Sequence, residues 1–128
     1  SDRYMCEDAD WIVVASNTPA RIAKGAVKTL RDNGVKAGLF RPVTLWPFPI
    51  DALLPLVESA RGIIMVEAGA GQLEDELRLA LSHADIGSTP RIEHVQRYGG
   101  VLPSAREIID KVYSLEVELD GQRILQSI

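Results

Sequence analysis

Glu67 is the carboxylate best placed for chemistry, because it ends a continuous apolar run that is typical of a buried strand. A carboxylate at a strand end can be partly desolvated and can act as a general acid or base. It can instead cap the next turn or pair with an arginine from a neighbouring loop, and Arg41 and Arg97 are both available. The cap or the ion pair is the favoured interpretation, and catalysis is the alternative.

A glycine turn follows Glu67 and precedes a helical pattern that begins at Gln72. Its glycines are Gly69 and Gly71. Backbone amides in such a turn, together with the helix dipole, could receive an anion. The turn lacks the third glycine of a dinucleotide fingerprint, and no acidic residue ends a second strand about twenty residues on. A tight turn before a helix is therefore favoured over a phosphate site.

Ser16, Asn17 and Thr18 form a second polar turn between a strand and a helix, which makes them a candidate anion-binding turn. Ser16 lacks the glycine frame of a nucleophile elbow, which disfavours a serine hydrolase. His83 and His94 belong to no metal-ligand spacing. We expect neither a catalytic residue nor a metal site in this chain.

Residues 41–49 have the most unusual composition, with the sequence Arg-Pro-Val-Thr-Leu-Trp-Pro-Phe-Pro. Three prolines fix φ and bias each preceding residue toward extended conformations, so the loop should be stiff. Trp46 and Phe48 could stack on a ligand ring, but aromatic residues held by prolines in a loop more often anchor a protein interface. An interface loop that includes Arg41 and Thr44 is the favoured interpretation.

The composition is that of one globular domain. The chain has 128 residues, of which 46% are hydrophobic and 25% charged, enough to bury a core. Its net charge is −4 and it has no basic stripe, so nucleic acid is not an expected partner. Without a membrane-length apolar run or a signal-peptide pattern, we expect a cytoplasmic domain with no membrane partner. The single cysteine, Cys6, should be a plain small residue.

Apolar periodicity predicts strands alternating with helices. The strands are predicted over residues 11–16, 36–41, 62–67 and 91–96, and the helices over 19–33, 51–60, 72–84 and 104–115. Thr18 is the predicted N-cap of the first helix, and Ser104 and Glu107 fit a capping box at the start of the last one. Residues 3–6 could add a short edge strand, and Asp120-Gly121 is a hairpin signal.

This alternation predicts an α/β domain with three layers, α/β/α, around a mostly parallel, mixed sheet of four to five strands. The domain should span residues 11–116, after a lead-in over 1–10 and before a C-terminal tail or hairpin over 117–128. Because the chain opens on Ser1 and not on methionine, it can be a piece of a longer polypeptide. The loops after the strand carboxyl ends should meet at one edge of the sheet, over 16–18, 41–49, 67–72 and 97–101.

These four loops, in this order, resemble the second domain of the thiamine-diphosphate-dependent 2-oxoacid:ferredoxin oxidoreductases, which has the transketolase C-terminal-like fold. The resemblance covers about residues 8–115. The most specific part of the resemblance is the segment 41–49, which is similar to the family's Arg-Pro-x-Thr-Leu-x-Pro-Phe-Pro signature. Three further motifs support the resemblance: Ala-Ser-Asn-Thr-Pro-Ala-Arg at 15–21, Glu-Ala-Gly-Ala-Gly-Gln-Leu at 67–73 and Arg-Tyr-Gly-Gly at 97–100.

The resemblance implies a large enzyme that converts a 2-oxoacid and coenzyme A to an acyl-CoA and CO2 and passes electrons to ferredoxin. This chain would be the C-terminal domain of its alpha subunit and inactive by itself. Thiamine diphosphate, Mg2+ and iron–sulfur clusters are implied for the whole enzyme and none for this domain alone. The implied partners are the pyrimidine-binding domain of the same subunit, a thiamine-diphosphate-binding beta subunit and a ferredoxin-type electron acceptor.

The resemblance also implies a role in assembly and in forming the wall of the cofactor cleft. The implied interface or cleft residues are Arg41, Thr44, Trp46, Phe48, Glu67, Gly69, Gly71, Gln72, Arg97, Gly99 and Gly100. Asn17 and Pro19 depart from the family's first turn, and alanine stands at 68 and 70, where the family usually has asparagine. Two alternatives stay open: a stand-alone small-molecule or anion-binding regulatory domain, and the equivalent domain of a transketolase or a dehydrogenase beta subunit.

Overall fold

The computed structural model describes residues 2–42, 49–67, 72–83, 91–96 and 102–126. The strands in these ranges are β1 (Asp2–Tyr4), β2 (Trp11–Val14), β3 (Ala37–Arg41), β4 (Gly62–Glu67) and β5 (Ile92–Gln96). The helices are α1 (Asn17–Asp32), α2 (Ile50–Val57), α3 (Gln72–His83) and α4 (Ala105–Gln126). None of the helices in these ranges is both long and apolar enough to cross a bilayer.

The strands form one sheet in the order β1-β3-β2-β4-β5. The pairs β2–β3, β2–β4 and β4–β5 are parallel, and β1 adds to β3 in the antiparallel direction. The predicted edge strand therefore exists, although it begins at Asp2. The chain moves from β2 outward to β3 and then crosses back to β4, so the strand order reverses between β2 and β4. This reversal is where open α/β sheets bind ligands or partners.

The core lies on both faces of the sheet, which confirms the predicted three layers. Trp11 and Val13 pack with α1 and α4, whereas Ile12 and Val14 pack with α2 and α3. All four of these side chains are fully buried. Successive side chains of a strand point to opposite faces, so a strand covered on both sides must be apolar throughout. The unbroken Trp-Ile-Val-Val run meets that requirement.

Helix α1 begins earlier than predicted. Its N-cap is Ser16, not Thr18, and the Ser16 side chain makes no capping hydrogen bond. Pro19 consequently occupies the third helical position. The first amides of a helix have no intrahelical carbonyl partner, so proline is tolerated throughout the first turn and does not mark its first residue uniquely.

The predicted end of α1 at Asn33-Gly34 is confirmed. Gly34 adopts a φ of 85°, which is left-handed and suits glycine. Its amide donates to the Arg31 carbonyl at 3.0 Å, and the Val35 amide donates to the Leu30 carbonyl at 2.9 Å. These two bonds form a Schellman motif.

The predicted C-terminal hairpin is wrong, because α4 continues through Asp120-Gly121 to Gln126. Leu115 is buried and Leu119 packs against the same core, so the apolar helical spacing continues past the turn signal. Glu116 and Glu118 make ion pairs with the rest of the domain at 3.0 Å. A glycine in a helix costs about 1 kcal/mol, and these tertiary contacts outweigh that cost.

The capping box at the start of α4 is present as predicted. The Glu107 amide donates to the Ser104 hydroxyl at 3.2 Å, and the Ser104 amide donates to the Glu107 carboxylate at 3.2 Å. These reciprocal bonds satisfy two amides that a helix N-terminus otherwise leaves open. The helix start was therefore set by residues within one turn of each other.

Cys6 was expected to be a plain small residue, and it lies in the core, where it is 1% exposed. Its thiol donates to the Leu39 carbonyl at 3.1 Å. Burial is the main cause that raises the pKa of the Cys6 thiol to about 11. The thiol is therefore neutral near pH 7 and is a poor nucleophile.

Candidate functional site

The candidate site is the carboxyl edge of the sheet, which we define by Ser16, Arg41, Glu67 and Gln96. The parallel registers bring these positions together, since Val14 pairs with positions in both β3 and β4 near their ends. The predicted site residues Thr44, Trp46, Phe48, Gly69, Gly71, Arg97, Gly99 and Gly100 lie outside the described residues, and their roles stay predictions. Gln72 is the first residue of α3.

Glu67 caps the N-terminus of α3. Its side chain is 9% exposed, and its two carboxylate oxygens accept hydrogen bonds from the Leu73 amide at 2.7 Å and the Glu74 amide at 3.2 Å. Negative charge is favourable at this end of a helix. The structure thus supports the capping interpretation of Glu67 over the catalytic one.

This cap also bears on the predicted anion site at the start of α3. An anion at the start of α3 would need the amides of Leu73 and Glu74, and the Glu67 carboxylate already occupies both. The chain therefore supplies its own anion at the position where a phosphate would bind. The glycine turn itself lies outside the described residues, so its interpretation as a tight turn stays a prediction.

Replacing Glu67 by alanine should lower the free energy of unfolding by about 2 kcal/mol, because the amides of Leu73 and Glu74 lose their acceptor. Urea denaturation followed by circular dichroism measures the change. Glu58→Ala is the matched control, since Glu58 is exposed at the end of α2, and it should shift stability by less than about 0.5 kcal/mol. Equal midpoints for the two variants would show that the Glu67 carboxylate does not hold the helix.

The N-terminus of α1 differs from that of α3. Ser16 is half-buried, Thr18 is exposed, and the first turn of α1 contains no acidic residue. The candidate anion-binding turn therefore lies at the switch between β2 and β4 without a carboxylate of its own in that turn. Anion binding by this turn stays a prediction.

Arg41 is the last residue of β3. Its guanidinium pairs with the carboxylate of Asp2 in β1 at 3.0 Å. It shares a cleft with Arg21 and Lys24 of α1. These two cations were not singled out from the sequence, although their spacing of three residues places them on one helix face. Only the antiparallel addition of β1 to β3 builds the opposite wall of this cleft.

His94 is half exposed on β5, and its Nδ1 atom lies 3.4 Å from the Glu74 carboxylate. Within the described ranges, no group of three or more histidine, cysteine or acidic side chains is arranged to hold a metal ion. These residues thus offer no site that fits the Mg2+ implied for the whole enzyme.

The comparisons with known proteins agree on one family. Residues 9–108 match the family model described as "Pyruvate:ferredoxin oxidoreductase core domain II". The ketoisovalerate oxidoreductase subunit VorB of Methanothermobacter marburgensis is 38% identical over 117 residues, which is 91% of this chain and 32% of the relative. The chain thus spans about a third of the length of this relative.

Two solved structures share the fold. The 2-oxoglutarate:ferredoxin oxidoreductase from Magnetococcus marinus gives a TM-score of 0.69 at 18% identity, over 84% of this chain and 18% of that one. A split-gene transketolase gives a TM-score of 0.70 at 19% identity, over 84% of this chain and 38% of that one. The expected transketolase C-terminal-like α/β fold is confirmed. With the family model matching 9–108, the chain belongs to the pyruvate:ferredoxin oxidoreductase core domain II family.

Proposed function

We propose that this chain is a non-catalytic assembly and cleft-forming domain of a thiamine-diphosphate-dependent 2-oxoacid:ferredoxin oxidoreductase. The whole enzyme would convert a 2-oxoacid and coenzyme A to an acyl-CoA and CO2 and reduce ferredoxin. The observation that carries the proposal is the family match over residues 9–108. The related subunit VorB belongs to a ketoisovalerate oxidoreductase, and the Magnetococcus marinus enzyme was solved with 2-oxoglutarate, coenzyme A and succinyl-CoA.

The side chains of the described residues support a non-catalytic role. Both carboxylate oxygens of Glu67 accept hydrogen bonds from amides of α3. The Cys6 thiol is buried and is protonated near neutral pH. His94 lies 3.4 Å from the Glu74 carboxylate, and in the described ranges no group of three or more histidine, cysteine or acidic side chains is arranged to hold a metal ion. The chemistry of the whole enzyme would then depend on thiamine diphosphate, Mg2+ and iron–sulfur clusters held by other parts of a cytoplasmic complex.

The carboxyl edge is the proposed docking surface. Residues 43–48 follow β3 and Pro42 in the sequence and precede Pro49, so a proline with a restricted φ flanks the segment on each side. Proline reduces the conformational entropy that a segment loses when it binds, and aromatic side chains carry much of the energy of protein interfaces. Trp46 and Phe48 would pack against the pyrimidine-binding domain and the beta subunit, and the glycine turns would line the cofactor cleft.

The test is to introduce Trp46→Ala and Phe48→Ala into the alpha subunit that carries this chain and to purify the complex anaerobically. We expect recovery of the beta subunit to fall at least about tenfold, because each buried aromatic anchor is worth about 2 kcal/mol or more. Coenzyme A-dependent reduction of ferredoxin should fall with it, measured with ketoisovalerate and 2-oxoglutarate in parallel.

The matched control is the double change Tyr113→Ala and Val117→Ala. Both side chains are exposed on α4, and Val117 is 72% exposed. The neighbouring Glu116 and Glu118 pair with Arg61 and Arg91, which precede β4 and β5, so this surface lies toward the opposite edge of the sheet. Normal assembly and turnover of the Trp46 and Phe48 variant would refute the docking role.

A further inference from the structure

A cleft of about 540 Å3 lies between β1, the end of β3 and the first turns of α1. Its size is within the range of small-molecule sites, about 300–1,000 Å3. The side chains that matter for its chemistry are Asp2, Tyr4, Arg21, Lys24, Leu39 and Arg41. We propose that this cleft binds a small molecule that carries two or more phosphate groups, through Arg21, Lys24 and Arg41.

The charge of the cleft is opposite to that of the chain. Arg21, Lys24 and Arg41 face a single carboxylate among the lining residues, Asp2, although the net charge of the chain is −4. Arg3 also borders the cleft, but alternation along β1 directs its side chain to the other face of the sheet. The cleft therefore carries a local excess of positive charge.

The three cations differ in what they contact. The Arg41 guanidinium pairs with Asp2 at 3.0 Å. Lys24 places its ammonium 4.9 Å from the centre of the Tyr4 ring, which is a cation–π contact and leaves the charge uncompensated by an anion. Within the part of the chain that the structure describes, no carboxylate lies within ion-pair distance of Arg21 or Lys24.

The position of the cations favours phosphate over a single carboxylate ligand. Arg21 and Lys24 lie about one turn apart in α1, beyond its first turn, and that first turn contains no acidic residue. Arg41 approaches from the strand side. Guanidinium groups bind phosphate oxygens in a bidentate manner, and separate cations suit an anion whose charge is spread over several oxygens.

The uncharged part of the cleft lies beside these cations. Ala20 and Leu39 are buried, and the Tyr4 ring is half-buried under Lys24. A ligand with an organic group attached to its phosphates could place that group on this apolar wall. Inorganic diphosphate and an adenine nucleotide share the phosphate chemistry and differ only in this second contact.

Isothermal titration calorimetry on the 128-residue chain, with inorganic pyrophosphate, ATP and coenzyme A as separate probes, tests the proposal. We expect saturable binding of at least one probe, weaker at higher salt because the cleft is open to solvent. Tighter binding of ATP or coenzyme A than of pyrophosphate would assign a contact to the apolar wall. Equal affinities would assign recognition to the phosphates alone, and both results support the site.

Variants with opposite expected effects on the affinity make the test specific. Arg21→Gln and Lys24→Gln should each weaken binding about tenfold, because each removes a charged hydrogen-bond donor. Asp2→Asn should strengthen binding, since it removes the carboxylate that competes for Arg41. Lys28→Gln is the matched control, because Lys28 is exposed on α1 and does not line the cleft.

Failure of all three probes to bind at millimolar concentration would overturn the proposal, as would equal affinities for Arg21→Gln, Lys24→Gln and Lys28→Gln. If no probe binds but the Arg21 and Lys24 variants impair recovery of the beta subunit, the cleft contacts an acidic protein surface, and the small-molecule proposal is wrong. Because Arg21 and Lys24 belong to α1 and not to the segment 41–49, we expect probe binding to respond to their variants and not to Trp46→Ala.

Discussion

Gly38→Ala should lower the free energy of unfolding by about 3 kcal/mol, although it adds only one methyl group. A Cβ atom at position 38 would lie 2.6 Å from the Met5 carbonyl oxygen and 2.8 Å from the Cys6 Cα atom. Both are backbone atoms, which cannot move away by a change of rotamer. The segment that crosses over β3 would have to leave its place on the core.

That segment is held on several sides. The Arg31 guanidinium donates to the Met5 carbonyl at 2.6 Å and to the Asp8 carboxylate at 2.7 Å. Cys6 and Ala9 are buried in the core layer that faces α2 and α3. A shift of the segment would break these contacts together, which is why we expect a large effect from a small substitution.

Gly25→Ala is the matched control, because it makes the same substitution inside α1 with no neighbouring atom within 4 Å of the new Cβ. It should raise the free energy of unfolding by about 1 kcal/mol, the preference for alanine over glycine in a helix. Urea denaturation midpoints of the two variants should therefore move in opposite directions. A stable Gly38→Ala protein would show that the segment 5–9 does not pack on β3 as described.

Trp11→Ala should lower the free energy of unfolding by about 4 kcal/mol. Trp11 is fully buried between the sheet and the layer formed by α1 and α4. Its indole Nε1 donates to the Glu116 carboxylate at 2.5 Å, and the other oxygen of that carboxylate accepts from the Arg61 guanidinium at 3.0 Å. Alanine would leave a large cavity and remove one partner of a half-buried carboxylate.

Two milder variants separate packing from hydrogen bonding. Trp11→Phe keeps most of the ring volume and loses the N–H donor, so it should cost about 2 kcal/mol. Glu116→Gln keeps an acceptor for the indole and loses only the partly exposed ion pair with Arg61, so it should cost less than about 1 kcal/mol. An effect of Glu116→Gln as large as that of Trp11→Ala would place the stability in the ion pair and contradict the packing argument.

The amino-acid sequence by itself determined the alternation of strands and helices, and it did so because those signals act over a few residues. β4 begins and ends where the apolar run predicts, from Gly62 to Glu67. The capping box of Ser104 and Glu107 and the glycine that ends α1 are likewise local, since each satisfies backbone groups within two helical turns. The segment 41–49 carried the family resemblance, which the match over 9–108 confirmed.

Tertiary structure decided the features that depend on residues far apart in the chain. Asp120-Gly121 is a turn signal by itself, yet Leu119 meets a core that the local sequence does not show, and the helix continues. Glu67 had several candidate partners, and the placement of α3 beside the end of β4 gave it the helix amides. Arg21 and Arg41 came together only through the placement of α1, β1 and β3 around one cleft. A local pattern sets which element forms, but the energy of a packed or charged contact depends on which distant residue meets it, and only the fold determines that.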